Sequence, residues 1–165
     1  LFHLILASTL TTNQGFNMTE QAQPTFDLRR VYLKDASLEL PNAPAIFLEE
    51  NAPQVAIEVS SENRILDADA YEVQVNVTLT ARLEEKVFFI LEIKQAAIFE
   101  ISNMPEEQLN AVLNIICPSM IYPYLRANVS DLLTRATLPP LHLTEVNFEQ
   151  FYEDKLAAEA KKTVQ

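Results

Sequence analysis

Val87 to Ile101, VFFILEIKQAAIFEI, is the stretch that leaves the chain fewest choices. Its odd positions, Val87, Phe89, Leu91, Ile93, Ala97, Phe99 and Ile101, are apolar, with Gln95 the exception; this is the period-2 signature of a strand with one face on a core. The even positions run from Phe88 and Ile90 through Glu92 and Lys94 back to Ala96 and Ile98. A face that is apolar at both ends and charged in the middle is not an ordinary solvated face. Its ends call for a cover, from a helix of the same chain or from other chains.

The length, 165 residues, fits one domain with a tail. Lys and Arg number 12 and Asp and Glu 23, and the resulting charge of -11 repels nucleic acid and anionic lipid and favours basic partners. Cys117 is the only cysteine, so no internal disulfide is possible, and His3 and His142 complete no zinc set with it. A reducing, cytoplasmic setting without metal or cofactor is expected. Gly15, the only glycine, lies outside the patterned region, which excludes glycine-dependent phosphate loops, dinucleotide fingerprints and a nucleophile elbow. The adjacent acid pairs Glu49/Glu50, Glu84/Glu85 and Glu106/Glu107 diverge on strands or helices and make no acid/base dyad. Cys117 reads as a buried structural thiol, not a nucleophile paired with His142. No catalytic residue is therefore expected.

Residues 1–17 begin without methionine, carry no acid or base and lead with the apolar run Leu1–Ala7. They read as a leader outside the fold, left by upstream translation or expression, because a signal peptide would need a basic start. Met18 reads as the natural start, followed by a polar tail to Thr25. No stretch approaches the roughly 18 apolar residues that span a bilayer, so no direct membrane insertion is expected.

From Phe26 the chain alternates as a strand and slips phase at Arg29 and Arg30, which predicts a bulge; Ala36, Leu38 and Leu40 then change parity again. Pro41 and Pro44 open an ordered, extended connector through Ile46, Phe47 and Leu48 to Pro53. It is apolar for a loop, and fits a loop laid over the core as well as a binding surface. Val55–Val59 predicts a short strand, Ser60–Asp69 a polar turn, and Tyr71–Ala81 the cleanest strand of the chain. A helix follows over Met104–Ile116 through Leu109, Val112, Leu113 and Ile116, with Pro118 interrupting it. A second runs through Ile121, Tyr124, Leu125, Val129, Leu132, Leu133 and Ala136. Asn147 and Gln150 resemble a cap and its reciprocal partner for an acidic last helix. The fold class expected is α+β: a four-stranded antiparallel sheet with a long crossover after its first strand, two packed helices and an acidic C-terminal helix. The domain spans 26–146, with 147–165 as helix and tail. Two helices cannot cover both faces of the sheet, and Phe88, Ile90 and Ile98 on the second predict oligomerisation or a standing client surface.

Four runs then point to a family. YLKDASLELPNAP (Tyr32–Pro44), LEIKQAAIF (Leu91–Phe99), CPSMIYPYLR (Cys117–Arg126) and TLPPLHLTEVNF (Thr137–Phe148) together resemble SecB, the bacterial protein-export chaperone family, over Phe26 to about Leu156. The resemblance implies a homotetramer, a dimer of dimers, that holds unfolded preproteins in apolar grooves and delivers them to the translocation motor SecA without ATP. It implies a client groove at Pro41, Pro44, Ile46, Phe47 and Leu48, facing a helix with Tyr122, Tyr124 and Leu125. It implies a SecA-binding face of Asp35, Glu39, Ile90 and Glu92 that receives the motor's basic, zinc-bearing tail. The family often has tryptophan where this chain has Asn51, and small glycines where it has Ala96, Ala97 and Ala136, which puts one groove wall and the local packing in question. The alternative is an acidic oligomeric adaptor that binds folded partners.

Overall fold

The structure, a computed structural model, describes residues 22–163, so the leader 1–17 and the first residues of the polar tail lie outside the described residues. Four strands, β1 (Thr25–Glu39), β2 (Gln54–Asp67), β3 (Ala70–Leu83) and β4 (Lys86–Ser102), form one antiparallel sheet in the order β1-β4-β3-β2. The α+β class and the crossover are as expected. Val73, Val75, Val77, Leu79, Leu91, Ile93 and Phe99 are buried on one sheet face under the helices, the face that the odd positions of β3 and β4 predict.

β1 carries the bulge expected at the first phase slip and a second where the parity changes again. Register shifts fall between Leu28 and Arg30 and between Leu33 and Asp35, leaving Arg29 and Lys34 as the extra residues. The second shift turns the odd positions Asp35, Ser37 and Glu39 to the face that Arg30 and Tyr32 occupy from even positions.

β2 is much longer than predicted. Ser60, Glu62 and Arg64, read as a turn, pair in register with Asn76, Gln74 and Glu72, and their side chains bond across the strands. Cross-strand polar pairing holds this half, so it has no apolar alternation to read. Another correction concerns Phe88. The shift between Ala81 and Arg82 leaves it as the extra residue of a bulge, and it packs against the core cluster; it does not share a face with Ile90.

The crossover is folded where an extended connector was expected. Ala43 N–H donates to Leu40 O at 3.1 Å and Ile46 N–H to Asn42 O at 3.0 Å, leading into a 3-10 turn (Ala45–Leu48). Asn42 Nδ2 donates to Val87 O at 2.9 Å and Lys86 pairs with Glu49 at 2.8 Å, tying the crossover to the start of β4.

Pro118 does not break the helix. α1 (Glu106–Ala111) passes through a π-helical turn (Val112–Ile116) into α2 (Cys117–Arg135), with Cys117 N–H donating to Val112 O. The wide turn accommodates Pro118, which has no N–H to give, while Asn114 Nδ2 donates to Asn110 O at 2.8 Å and Ser119 Oγ to Ile115 O at 2.6 Å. The register change also rotates the apolar face. Leu113, Cys117, Ile121, Leu125, Val129 and Leu133 form the buried stripe, so Ile116 and Tyr124, both predicted to be in it, point outward. α2 ends with Leu138 N–H donating to Leu133 O and Thr137 N–H to Thr134 O, a complete Schellman motif with Thr137 at φ 62°.

α3 (Phe148–Thr163) is capped by Asn147, whose Oδ1 accepts from Glu149 N–H at 3.1 Å and Gln150 N–H at 3.2 Å. The reciprocal bond is not made, because Gln150 Nε2 donates to Asp154 instead. Phe148 is buried with its ring edge-on to Tyr122 at 5.7 Å, which anchors the start of α3 to the core. Among the described residues no helix is long and apolar enough to cross a membrane.

Candidate binding surfaces

The face of the sheet away from the helices is assembled rung by rung. Glu39, Ile90, Thr80 and Ala56 share the first rung from the crossover, Ser37, Glu92, Thr78 and Glu58 the second, and Asp35, Lys94, Asn76 and Ser60 the third. Neighbouring strands lie about 4.8 Å apart, so Asp35, Glu39, Ile90 and Glu92 occupy adjacent positions on β1 and β4. The bulge at Lys34 makes this possible. Glu39 and Glu92 are exposed and Ile90 is half-buried among them, and Lys94 Nζ stands 3.5 Å from Asp35 Oδ2.

Farther from the crossover the same face is bonded to itself. Glu72, on β3, is only 3% exposed and accepts hydrogen bonds from Tyr32 Oη, from Lys34 Nζ at 2.9 Å and from Arg64 Nε at 2.6 Å. Tyr32 and Lys34 reach it from β1 across β4, where Ala96 lies fully buried on the Tyr32–Gln74 rung. Burial by itself would raise the Glu72 carboxyl, but the bonds from Tyr32, Lys34 and Arg64 and the Lys34 charge outweigh it and hold the group at about 2. The Tyr32 hydroxyl is pushed up to about 12, by burial first and then by its bond to Glu72. The alanines at 96, 97 and 136 sit at ordinary φ. The left-handed positions among the described non-glycine residues are Glu84, Asn103 and Thr137, so the methyls of the three alanines meet no backbone penalty.

The helical side carries the apolar surface. Phe47 is 47% and Leu48 86% exposed, and Phe47 stands edge-on to Phe88 with ring centroids 6.0 Å apart. Ile46 is buried beneath them, and Pro41 and Pro44 are exposed. Across the layer, Tyr122 is buried with its hydroxyl donating to Thr144 O at 2.7 Å, Leu125 is fully buried, and Tyr124 is exposed. Within one chain, therefore, Ile46, Tyr122 and Leu125 are taken up by the core, and Pro41, Pro44, Phe47, Leu48 and Tyr124 are the members of the set open to a partner. The sequence reading missed Val55 and Ile57 on β2, which extend the core-facing rows of Ala81 and Leu79 past the helical cover and stay exposed. It also missed Ile116 and Met120, which with Tyr124 make an exposed stripe at i, i+4, i+8 on the long helix. That spacing was present in the sequence, but only the π turn decides that it faces outward.

Cys117, at the centre of the core, has its thiol pushed up to about 12 by burial, which leaves it protonated and unreactive.

The comparisons with known proteins agree with this architecture. The family described as "Preprotein translocase subunit SecB" matches residues 19–159. A protein named "Protein-export protein SecB" from Herminiimonas arsenicoxydans is 53% identical over 145 residues, 87% of this chain and 87% of that protein. One of the same name from Bordetella avium is 48% identical over 153 residues, 93% of this chain and 89% of the relative. A solved SecB-like chaperone from Mycobacterium tuberculosis, in complex with a ChAD peptide from an antitoxin, superposes with a TM-score of 0.61 at 23% identity, over 73% of this chain and 90% of that one, and so shares its fold. With sequence matched across nearly the whole described region and the sheet, crossover and helical layer in place, this chain belongs to the SecB family of protein-export chaperones.

Proposed function

We propose that this chain is a holdase for unfolded preproteins, which it captures on the apolar, helical side and passes to SecA through the acidic sheet face. The observation that carries this reading is the separation of the two surfaces. Phe47, Leu48, Val55, Ile57, Ile116, Met120 and Tyr124 are exposed on one side, and Asp35, Glu39, Ile90 and Glu92 are grouped on the other. A client and a motor can then be held at once.

Each large apolar client side chain that is buried contributes roughly 1.5 to 3 kcal/mol before ordering costs. A few such contacts give about micromolar binding at one groove, and tightness comes from several sites on one client chain. Folded proteins have hidden these groups, so selectivity for unfolded chains needs no sequence code. The lone glycine supplies no nucleotide loop, which supports release by docking of the motor's basic tail, not by hydrolysis in this chain.

A homotetramer, a dimer of dimers, completes the grooves that one chain leaves open. The 15-residue edge strand β1, with Phe26 and Leu33 exposed, supports sheet-to-sheet pairing of copies. The working domain is 26–146, with 147–165 appended, and the site of action is the cytoplasm.

The test is binding of one slow-folding protein, presented unfolded and native, at a defined assembly state. Capture of the unfolded form alone, with protection of the Phe47 loop from hydrogen exchange, is expected. Equal binding of the native form would replace this reading with an acidic adaptor for folded partners.

A further inference from the structure

On the acidic sheet face, the acids fall into two groups according to what they bond. Away from the crossover every acid in the pattern has an in-chain donor. Glu62 accepts from Gln74 Nε2 at 2.6 Å, Glu72 is held by Tyr32, Lys34 and Arg64, and Arg29 lies 3.0 Å from Asp27 and 2.8 Å from Glu100. Toward the crossover, Glu39, Glu92 and Glu58 are exposed and carry no hydrogen bond or ion pair among the described residues. Between the groups lies the rung of Asp35 and Lys94. Lys94 is the cation of that rung, next along the face from Glu92 and Glu58, whereas Arg82 stands exposed on β3 at the crossover end; Lys94 Nζ lies 3.5 Å from Asp35 Oδ2, and both side chains are about half exposed (49% and 63%).

Lys94 points from the same face of β4 as Ile90 and Glu92, two residues beyond Glu92, a spacing of about 7 Å along a strand. That is within the roughly 8 Å screening length at physiological salt, so its charge weakens the field at Glu92 as well as neutralising Asp35. A basic segment that docks on this face must displace Lys94 from Asp35 or leave that carboxylate occupied. A cation in this place lowers the affinity of the site of which it is a part.

We propose that Lys94 is the affinity-setting residue of the acidic face: an internal counter-ion that competes with the basic partner for Asp35 and keeps docking reversible. This rests on the reading of the face as the SecA dock. Its consequence is a weak, exchangeable hold on the motor, which suits a carrier that must be released after delivery. Exposed pairs of this kind are worth a factor of about two to five in binding.

The experiment measures the affinity of purified SecA for the full chain by calorimetry, at roughly 0.05 M and 0.3 M salt. Lys94→Gln is expected to tighten binding about twofold to fivefold at low salt, with a smaller gain at high salt, and Lys94→Arg to give none of that gain. Asp35→Asn is expected to cost little in the native background and more in the Lys94→Gln background, because only there is the carboxylate open to the partner. Unchanged or weaker binding of Lys94→Gln, or an equal gain with and without Asp35, overturns the proposal. Glu92→Gln separates the two readings. If it weakens SecA binding while Lys94→Gln has no effect, the dock stands and the counter-ion does not; if it changes nothing, the dock falls and takes this proposal with it.

Discussion

Glu72→Gln removes the charge at the centre of the bonded half of the sheet face while keeping the size of the side chain. The carboxyl is 3% exposed and sits at about 2 in the folded chain against a usual 4.5, so the ionised form favours the fold by about 3 kcal/mol. Because the folded value lies below the unfolded one, this contribution is fully present above about pH 5 and is lost as pH falls toward 2. The variant should therefore unfold with about 3 kcal/mol less stability at pH 7, and the gap should shrink to roughly half that at pH 3, where the unfolded chain has taken up the proton that the folded carboxyl still largely refuses. Urea titrations of both proteins, at one fixed protomer concentration because assembly contributes to stability, measure the gap at each pH. A gap of equal size at pH 7 and pH 3, or none at pH 7, would refute the argument that Tyr32, Lys34 and Arg64 outweigh the cost of burying this charge.

Thr137→Gly should raise stability by about 1 kcal/mol, because a β-branched residue at φ 62° pays a left-handed penalty that glycine does not; a rise in thermal midpoint checks it. Asn128→Leu leaves the Gln95 amide, 2% exposed, without the 2.6 Å bond between the two side chains, and should cost about 1 to 3 kcal/mol. Adding Gln95→Leu should recover most of that loss in the same denaturation assay, since an apolar pair strands no polar group. Phe47→Ala, at a ring 47% exposed, should change stability by no more than about 1 kcal/mol from its edge contact with Phe88, yet weaken capture of an unfolded client several-fold in a binding titration.

The site was legible in unequal parts. The acidic set was named from motif resemblance, and its grouping on one face depends on the Lys34 bulge, whose trace in the sequence is the parity change after Leu33. Strict alternation puts Phe88 on the wrong face for a related reason. A bulge moves one residue out of alternation, and nothing in VFFIL says which residue that will be. Alternation reads β2 too short because its distal half is held by polar pairs across the β2–β3 hairpin, Arg64 with Glu72 and Glu62 with Gln74 and Asn76, which leave no apolar period to see. Periodicity places Ile116 and Tyr124 in the buried stripe because it assumes 3.6 residues per turn, and the π turn breaks that count.

By itself the sequence determined the number and direction of the strands, the buried face of β3 and β4, the helical second half and the exclusion of glycine-loop chemistry. Those follow from local periodicity and from which residues can enter water, and they need no knowledge of neighbours. Only the tertiary structure decided how Tyr32 and Lys34 cross over Ala96 to Glu72, why Lys94 faces Asp35, and where the apolar rows of β2 run out from under the helices. Each depends on register between segments distant in the chain. A one-residue bulge or one wide helical turn reverses a face at almost no cost to composition or pattern.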